Sequence, residues 1–371
     1  MKRPQHRAER FVETLPQKAA SMLADLGMGV LILGDAESHP GRNENWAGST
    51  ERGDRVFIKQ LGGEAGDTLR RFRRALSFEE CAGLRHRDGE LKSPQLLDFD
   101  ETSRLMIFQR LECRSAANLM SESALDESFA LTAGRAVASL HQLDARAGQL
   151  DDTPPLMPSL ELLEALPEPA FAGCPRLELD VWRLLQGDSR LSSSLRELRR
   201  LEARAPKRPA HCDLRLDQLL VTEGELFLSD WEEFRMADPA RDVGSFIGEL
   251  LWAAVSSLPE RIRDLADPRN ESGSDAVHRM VIAQGAAEIE RLRPIAVAFW
   301  DGYRSGRTEP DDGLEIRAAA FAGWHLIERV IASGARHARL PATGRAAMGI
   351  SRGVLTAPEK FIQVLGLRER P

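Results

Sequence analysis

Residues 211–220 read His-Cys-Asp-Leu-Arg-Leu-Asp-Gln-Leu-Leu, and residues 227–232 read Phe-Leu-Ser-Asp-Trp-Glu. These two stretches place Asp213 and Asp230 17 positions apart, and each acid lies beside an apolar segment typical of a β-strand. A turn or helix start that carries two acids by chance is the alternative interpretation. The ordered set of polar and apolar residues around both acids argues against it.

The order of residues matches the kinase motifs H-R-D-L-x-x-x-N and D-F-G. His211, Asp213 and Leu214 fall in step with the first motif, and so does the carboxamide of Gln218. Asp230 takes the place of the metal-binding acid in the second motif. The residues within the two stretches resemble those of the aminoglycoside phosphotransferase and choline kinase group. In that group the two motifs are H-G-D-L-x-x-x-N-L-L and I-D-W-E.

The resemblance implies an α+β, bilobal protein kinase-like fold. We expect an N-lobe with a small antiparallel sheet and one helix, and a large, mostly helical C-lobe. The predicted division is an N-terminal helical extension over 1–27, a nucleotide-binding N-lobe over 28–111 and a C-lobe over 112–371. The C-lobe would include the catalytic loop 211–220 and the metal-binding segment 227–232.

Hydrophobic periodicity supports this order of elements. An amphipathic pattern predicts a helix over 7–26. Strands are then predicted at 29–33, 45–50, 55–61, 96–99 and 104–111. One helix is predicted between the third and fourth of these strands, at 68–86. Beyond residue 112, helices are predicted at 122–146, 158–166, 177–203, 242–256, 275–306, 312–336 and 355–366, with two short strands flanking the turn at 222–224. Trp300, Trp324 and Leu326 are the predicted core of the C-terminal region.

Composition narrows the class of protein. The net charge is −7 and the pI is near 5.8, so general affinity for nucleic acid is not favoured. One arginine-rich run at 70–74 is predicted to be a solvated helix face, and a contact with an anionic substrate or nucleotide is the alternative. We expect neither a disulfide framework nor a zinc site, because the four cysteines are widely spaced. We also expect no signal peptide and no membrane span, and hence a cytoplasmic protein.

Residues 56–59 read Val-Phe-Ile-Lys and match the V-A-I-K motif of a kinase strand. Lys59 is flanked by apolar residues, where an unpaired ammonium is costly, so a phosphate and a carboxylate are its expected partners. Glu79 and Glu80 lie on the following helix, and we expect Glu80 to pair with Lys59. A solvent-exposed lysine at a sheet edge is the alternative.

The resemblance assigns roles to the remaining polar residues. Asp213 is the predicted catalytic base, and Arg215 is predicted to contact the transferred phosphate or, alternatively, to pair with Asp217 at the surface. Asp230 and Gln218 are the predicted ligands of Mg²⁺. Gln218 replaces the family's Asn, and Cys212 replaces its Gly, so altered activity is an open alternative.

The nucleotide, ATP or GTP, is expected between the lobes. Its base should lie beside Gln109, Arg110, Leu111 and Glu112, where the last N-lobe strand ends. No G-x-G-x-x-G sequence is present to form a phosphate-binding loop.

Four further residues have predicted structural roles. Asp242, in a D-P-x-x-D sequence, is expected to hold the catalytic loop. His211 and His141 are expected to support the scaffold, and His325 has packing as its default role.

The predicted activity is transfer of the γ-phosphate to a hydroxyl group of a small polar molecule, such as an aminoglycoside, a sugar or an amino alcohol. A kinase of peptide Ser/Thr that works with a partner lyase is one alternative. A nucleotide-binding pseudokinase is the other. Acids that would suit a polycationic acceptor are Asp301, Asp311, Asp312 and Glu315.

Overall fold

The computed structural model describes residues 10–11, 15–38, 41–83, 89–145, 150–265, 274–336 and 339–368. The chain divides into two compact units. The first unit comprises Met1–Ser115, Ala145–Leu150 and Gln218–Phe234, and the second comprises Ala116–Asp144, Asp151–Asp217 and Arg235–Pro371. The predicted division put the segment 227–232 in the C-lobe, whereas its contacts group it with the first unit.

A six-stranded antiparallel sheet forms the centre of the first unit, in the order β1-β2-β3-β4-β6-β5. Its strands are β1 (Arg10–Phe11), β2 (Glu37–Ser38), β3 (Glu44–Ser49), β4 (Arg55–Gln60), β5 (Leu96–Asp100) and β6 (Leu105–Gln109). Strand β4 alternates its side chains between the two faces of the sheet. Val56 and Ile58 are fully buried in one hydrophobic cluster, which leaves Lys59 on the opposite face.

Helix α1 (Gln17–Asp25) supplies Ala19, Met22 and Leu23 to the same cluster. The prediction of a helix over 7–26 is wrong at its start, because Arg10–Phe11 pairs with β2 and the helix begins after Pro16. Proline disfavours a helical conformation in the residue before it, which explains a boundary here. Residues 7–9 and 12–14 of the predicted helix lie outside the described part of the chain.

Helix α2 (Ala65–Ala82) has charged as well as apolar side chains on its buried face. Its buried face includes two arginines, Arg71 and Arg74, beside Phe72 and Phe78. Arg70 and Arg73 have exposed side chains. The run at 70–74 is therefore a solvated face for only half of its arginines. The predicted helix extended to residue 86, and its last residues, 84–86, lie outside the described residues.

A second sheet of the first unit has the order β10-β9-β7, with β7 at Arg114–Ser115, β9 at Leu219–Thr222 and β10 at Glu225–Leu228. The two strands predicted around the turn at 222–224 are thus confirmed. Strand β10 ends just before Asp230, which has a positive φ of 73°. A single 3₁₀ turn, Trp231–Glu233, comes directly after it.

The second unit is mostly helical. Four of its helices are α4 (Glu127–Leu140), α9 (Ala240–Leu265), α10 (Ser274–Gly306) and α11 (Leu314–Ala332). Strands β8 (Arg208–Ala210) and β11 (Arg235–Ala237) pair with each other. The other helices are α3 (Ala116–Ser121), α5 (Leu160–Glu164), α6 (Glu168–Gly173), α7 (Arg176–Gly187), α8 (Ser189–Glu202) and α12 (Ala342–Thr356). Trp300, Trp324 and Leu326 are buried, as predicted.

Two predicted helices are not observed as single helices. The segment 177–203 is broken into α7 and α8 at Asp188, whose side chain accepts a hydrogen bond from the Leu191 backbone N–H and so caps α8. The helix predicted over 355–366 is not formed: α12 ends at Thr356, and only the 3₁₀ turn Pro358–Lys360 comes after it. None of the helices in the described part of the chain has the length and apolar character needed to cross a membrane.

Glycine allows helices α4 and α10 to pack closely. A Cβ atom added at Gly134 would overlap the carbonyl oxygen of Phe299 and lie 2.6 Å from the backbone nitrogen of Tyr303. Backbone atoms cannot retreat as the end of a flexible side chain can. The approach of the two helices therefore requires a residue without a side chain at this position.

We predict that Gly134→Ala destabilises the protein by about 1–3 kcal/mol, because overpacking forces the two backbones apart. Urea unfolding monitored by circular dichroism measures the effect. Gly349→Ala in α12 is the matched control, since no atom lies within 4 Å of the added methyl group. Equal midpoints for the two variants would contradict the close packing of α4 on α10.

Candidate active site

Lys59 lies in a buried ion-pair cluster of the first unit. Its Nζ is 2.5 Å from Asp230 Oδ1 and also contacts the carboxylate of Glu232. Burial alone favours the neutral amine, but the charges and hydrogen bonds of the two carboxylates outweigh burial and raise the pKa of Lys59. The amine therefore stays charged inside the protein, and the alternative of a solvent-exposed lysine is excluded.

The expected partner of Lys59 on helix α2 was Glu80, and the structure corrects this. Glu80 is exposed, because it lies on the face of α2 opposite to Phe78 and Ala75. Glu79 is partly buried, and burial raises the pKa of its carboxyl to about 7. The carboxylates that pair with Lys59 come from the segment after β10 instead.

Gln218 lies beside Asp230. The side-chain Nε2 of Gln218 is 3.5 Å from Asp230 Oδ2. The backbone carbonyl oxygen of Gln218 accepts hydrogen bonds from Ser229 N (3.0 Å) and Ser229 Oγ (3.1 Å). The left-handed backbone of Asp230 costs free energy in a residue with a Cβ, and such strain is typical of functional positions. The short connection from Gln218 to Ser229 thus fixes the carboxylate next to the carboxamide.

These two side chains suit a hard divalent cation. Mg²⁺ prefers oxygen ligands and is often held by one or two carboxylates together with nucleotide phosphates. Asp230 supplies a carboxylate, and a half-turn of the Gln218 carboxamide would present its oxygen. Among the described residues, no group of three or more His, Cys, Asp or Glu side chains is arranged to bind a metal without such a co-ligand.

Residues 211–217 of the predicted catalytic loop 211–220 belong to the second unit, and residues 218–220 belong to the first. Asp213 has a side chain that is 42 % exposed, as a base that meets a substrate from solution requires. Arg215 lies between two carboxylates: its Nη1 is 3.7 Å from Asp213 Oδ2, and its Nε is 3.2 Å from Asp217 Oδ1. The structure is therefore compatible with both predictions for Arg215, contact with the transferred phosphate and pairing with Asp217. Arg215 pairs with Asp217 and still lies next to Asp213.

Asp242, at the start of α9, holds the beginning of this loop. Its carboxylate accepts hydrogen bonds from the backbone N–H groups of His211 (2.7 Å) and Cys212 (2.8 Å). It also contacts His141 Nε2 at 3.0 Å, and His141 Nδ1 is 2.9 Å from the hydroxyl of Tyr303. Burial would raise the pKa of Asp242, but its hydrogen bond and charge interaction with His141 outweigh burial and lower it. The carboxylate thus stays ionised where it accepts the two N–H groups.

Cys212 has a positive φ of 63°. Glycine adopts this left-handed conformation without steric cost, whereas a residue with a Cβ does not. The Gly of the resembling family and the Cys of this chain are thus compatible with the same loop path. The two hydrogen bonds to Asp242 hold the backbone on either side of this residue.

A second anchor of the loop was missed by the sequence analysis. Glu249, two turns after Asp242 on α9, accepts a hydrogen bond from Leu216 N at 3.3 Å. Its other oxygen is 2.7 Å from His325 Nε2 and 3.1 Å from Arg329 Nε, both on α11. The signal was present, because an acid inside the apolar stretch 246–255 must find a partner.

The predicted base-binding residues lie at the exit from β6. Arg110 Nη2 is 2.9 Å from Glu37 Oε2, and Glu112 forms an ion pair with Arg55. A cavity of about 700 Å³ adjoins this segment. The residues that line it are Ser49, Arg55, Arg110, Leu111, Glu112, Cys113, Arg114, Val221, Thr222 and Glu223. Gln109 does not line the cavity, and its backbone N–H donates to Gln95 O at 2.8 Å.

The fold and the site support an assignment to a family. The chain belongs to the phosphotransferase enzyme family, whose model matches residues 38–278, well over half of the sequence. The resemblance found in the sequence is thereby confirmed, and the protein is a phosphotransferase of the kinase type. No curated protein matches the chain.

Solved structures confirm the protein kinase-like fold. An amicoumacin kinase in complex with AMP-PNP and Ca²⁺ has 13 % identity and a TM-score of 0.51, with coverage of 93 % of this chain and 94 % of that one. A choline kinase from Streptococcus pneumoniae has 13 % identity and a TM-score of 0.50, with coverage of 92 % and 98 %. At this identity, the likeness concerns the fold.

We predict that Glu249→Gln loosens the loop at Leu216, because the neutral amide is a weaker acceptor and leaves His325 and Arg329 without their shared charge. The expected loss of stability is about 1–3 kcal/mol, as for a buried hydrogen bond to a charged group. Hydrogen exchange followed by mass spectrometry should show faster exchange at the Leu216 amide. Glu260→Gln, an exposed acid on the same helix, is the control. Unchanged exchange at Leu216 would contradict the anchor.

Proposed function

We propose that this phosphotransferase moves the γ-phosphate of ATP or GTP to a hydroxyl group of a small polar molecule. The observation that carries the proposal is the pairing of a buried, charged Lys59 with Asp230, beside the carboxamide of Gln218. This arrangement supports the proposal, because a positive charge suited to phosphate oxygens lies next to side-chain oxygens suited to a metal. A nucleotide with a divalent cation fits it, and the amicoumacin kinase of the same fold holds such a pair.

Phosphoryl transfer depends mainly on positioning and on neutralising charge. Lys59 would bind phosphate oxygens of the nucleotide, while Asp230 and Gln218 would hold Mg²⁺. A metal held by these two residues would neutralise negative charge on the phosphate groups of the nucleotide. Asp213 would accept a hydrogen bond from the acceptor hydroxyl and orient its oxygen towards the γ-phosphorus.

In the proposed transfer, one bond to the γ-phosphorus forms as another breaks. A bond forms between the acceptor oxygen and the γ-phosphorus, and the bond from that phosphorus to the leaving nucleoside diphosphate breaks. The hydroxyl proton passes to the carboxylate of Asp213. Arg215, next to Asp213, would neutralise charge on the transferred group. Asp242 and Glu249 would keep the loop in place while the proton moves.

The acceptor is proposed at the level of its class: an aminoglycoside, a sugar or an amino alcohol. Of the acids considered for a polycationic acceptor, Asp311 is already engaged, because its Oδ2 is 2.7 Å from Arg317 Nη2 and its side chain is only 9 % exposed. Asp312 is exposed, and Asp301 and Glu315 are partly buried. These three acids remain the ones to vary once an acceptor is known.

The test is a transfer assay with γ-labelled ATP and GTP over a panel of aminoglycosides, sugars and amino alcohols, with and without Mg²⁺. We expect transfer that requires Mg²⁺. Asp213→Asn should abolish transfer and leave nucleotide binding largely intact, because the amide cannot take the proton. Asp230→Asn should weaken Mg²⁺-dependent nucleotide binding as well.

Asp25→Asn, an exposed change on α1, is the control for charge. Full transfer by Asp213→Asn would contradict the assignment of the base. Mg²⁺-dependent binding without transfer to any member of the panel would favour the pseudokinase. Transfer to a Ser/Thr peptide but to no small molecule would favour the peptide kinase.

A further inference from the structure

Arg71 is a buried arginine of helix α2 with only 1 % of its side chain exposed. Its guanidinium contacts the carboxylate of Glu232, Asp67 Oδ2 at 3.0 Å and Asn43 Oδ1 at 3.1 Å, and it also donates to the carbonyl oxygen of Gly62. All five donors of a guanidinium are directed in a fixed plane. A group with so many fixed partners holds them in a single arrangement.

Glu232 is the acid that Arg71 shares with Lys59. One of its oxygens contacts Lys59 and accepts a hydrogen bond from Asn43 Nδ2 at 2.6 Å, and the other contacts Arg71. A buried carboxylate between two buried cations offsets the desolvation of both. Glu232 therefore has a fixed position that does not depend on Lys59 alone.

Helix α2 is joined to this segment at three successive residues. The ring of Trp231 stacks on Phe78 with centroids 3.5 Å apart, Glu232 contacts Arg71, and Glu233 Oε2 is 3.1 Å from Arg74 Nη1. The buried face of α2 thus contacts the segment that comes immediately after Asp230. A shift of α2 would therefore move the carboxylate of Glu232, which faces Lys59.

The two carboxylates that contact Lys59 differ in their exposure and in the number of their other partners. Asp230 is 29 % exposed and is a candidate metal ligand, whereas Glu232 is 11 % exposed and tied to Arg71 and Asn43. A metal ion on Asp230 would compete with Lys59 for that carboxylate. Glu232 would then be the partner that remains.

We propose that Arg71 is a positioning residue of the phosphotransferase, which fixes Glu232 so that Lys59 keeps its place when Asp230 turns to the metal and the nucleotide. This inference rests on the proposed function. It assigns to Arg71 and Glu232 together the role that the sequence had suggested for a glutamate of α2. The helix acts through an arginine, and the carboxylate comes from the metal-binding segment.

The test uses the full chain and the variants Arg71→Gln and Arg71→Lys. Arg71→Lys keeps the charge but loses the planar fork, so it covers the case in which Arg71→Gln does not fold. Arg70→Gln, an exposed arginine one residue earlier on α2, is the matched control. Circular dichroism and urea unfolding establish that each variant is folded.

The first measurement is acylation of Lys59 by acetic anhydride in nucleotide-free protein, followed by mass spectrometry. Lys59 is shielded by its ion pairs, so we expect faster labelling in Arg71→Gln and Arg71→Lys than in the wild type or Arg70→Gln. This measurement does not need nucleotide. It therefore distinguishes a failure of this proposal from a failure of the proposed function.

The second measurement is calorimetric binding of ATP with Mg²⁺. Loss of an outer partner of a metal site typically weakens binding about 10–100-fold, and we expect a loss in this range for Arg71→Gln. Glu232→Gln should weaken binding at least as much, and the double variant should bind no more weakly than Glu232→Gln alone, because Arg71 acts through Glu232. Wild-type labelling rates and wild-type affinity in a folded Arg71 variant would overturn the proposal.

Discussion

The ammonium group of Lys59 is the constraint on which the first unit depends. It lies inside the protein, on the face of β4 opposite to the Val56 and Ile58 core, and an unpaired charge there would be costly. Asp230 and Glu232 compensate it. To bring these acids to the lysine, the chain after β10 must turn sharply, and helix α2 must meet that turn with its buried arginines.

A similar use of buried charge organises the second unit. Asp242 and Glu249 lie two turns apart on α9 and accept hydrogen bonds from backbone N–H groups of the loop that carries Asp213. Each carboxylate is kept ionised by a histidine, His141 or His325, so the position of the loop that carries Asp213 depends on the packing of α4 and α11 against α9.

Periodicity and motif spacing were sufficient to predict part of the fold and of the site. The alternation of side chains predicts β4, and the order of residues in the two motifs predicts Asp213 and Asp230 as site residues, of which Asp230 lies against Lys59. The partner of Lys59 could not be predicted in this way, because a helix presents Glu80 or Arg71 according to its rotation, which tertiary packing decides. Glu249 was also missed, since its partners are distant in the chain and only its burial in an apolar stretch could have signalled the contact.

The most direct test of this account is calorimetric titration of the wild type and of Lys59→Met with ATP in the presence of Mg²⁺. We expect binding by the wild type and a loss of affinity of about tenfold or more in Lys59→Met, which corresponds to about 1.4 kcal/mol. Methionine keeps the apolar stem and removes the charge, so the loss would report the ammonium group. Equal affinity in the two proteins would contradict the claim that Lys59 and its carboxylates form the nucleotide site.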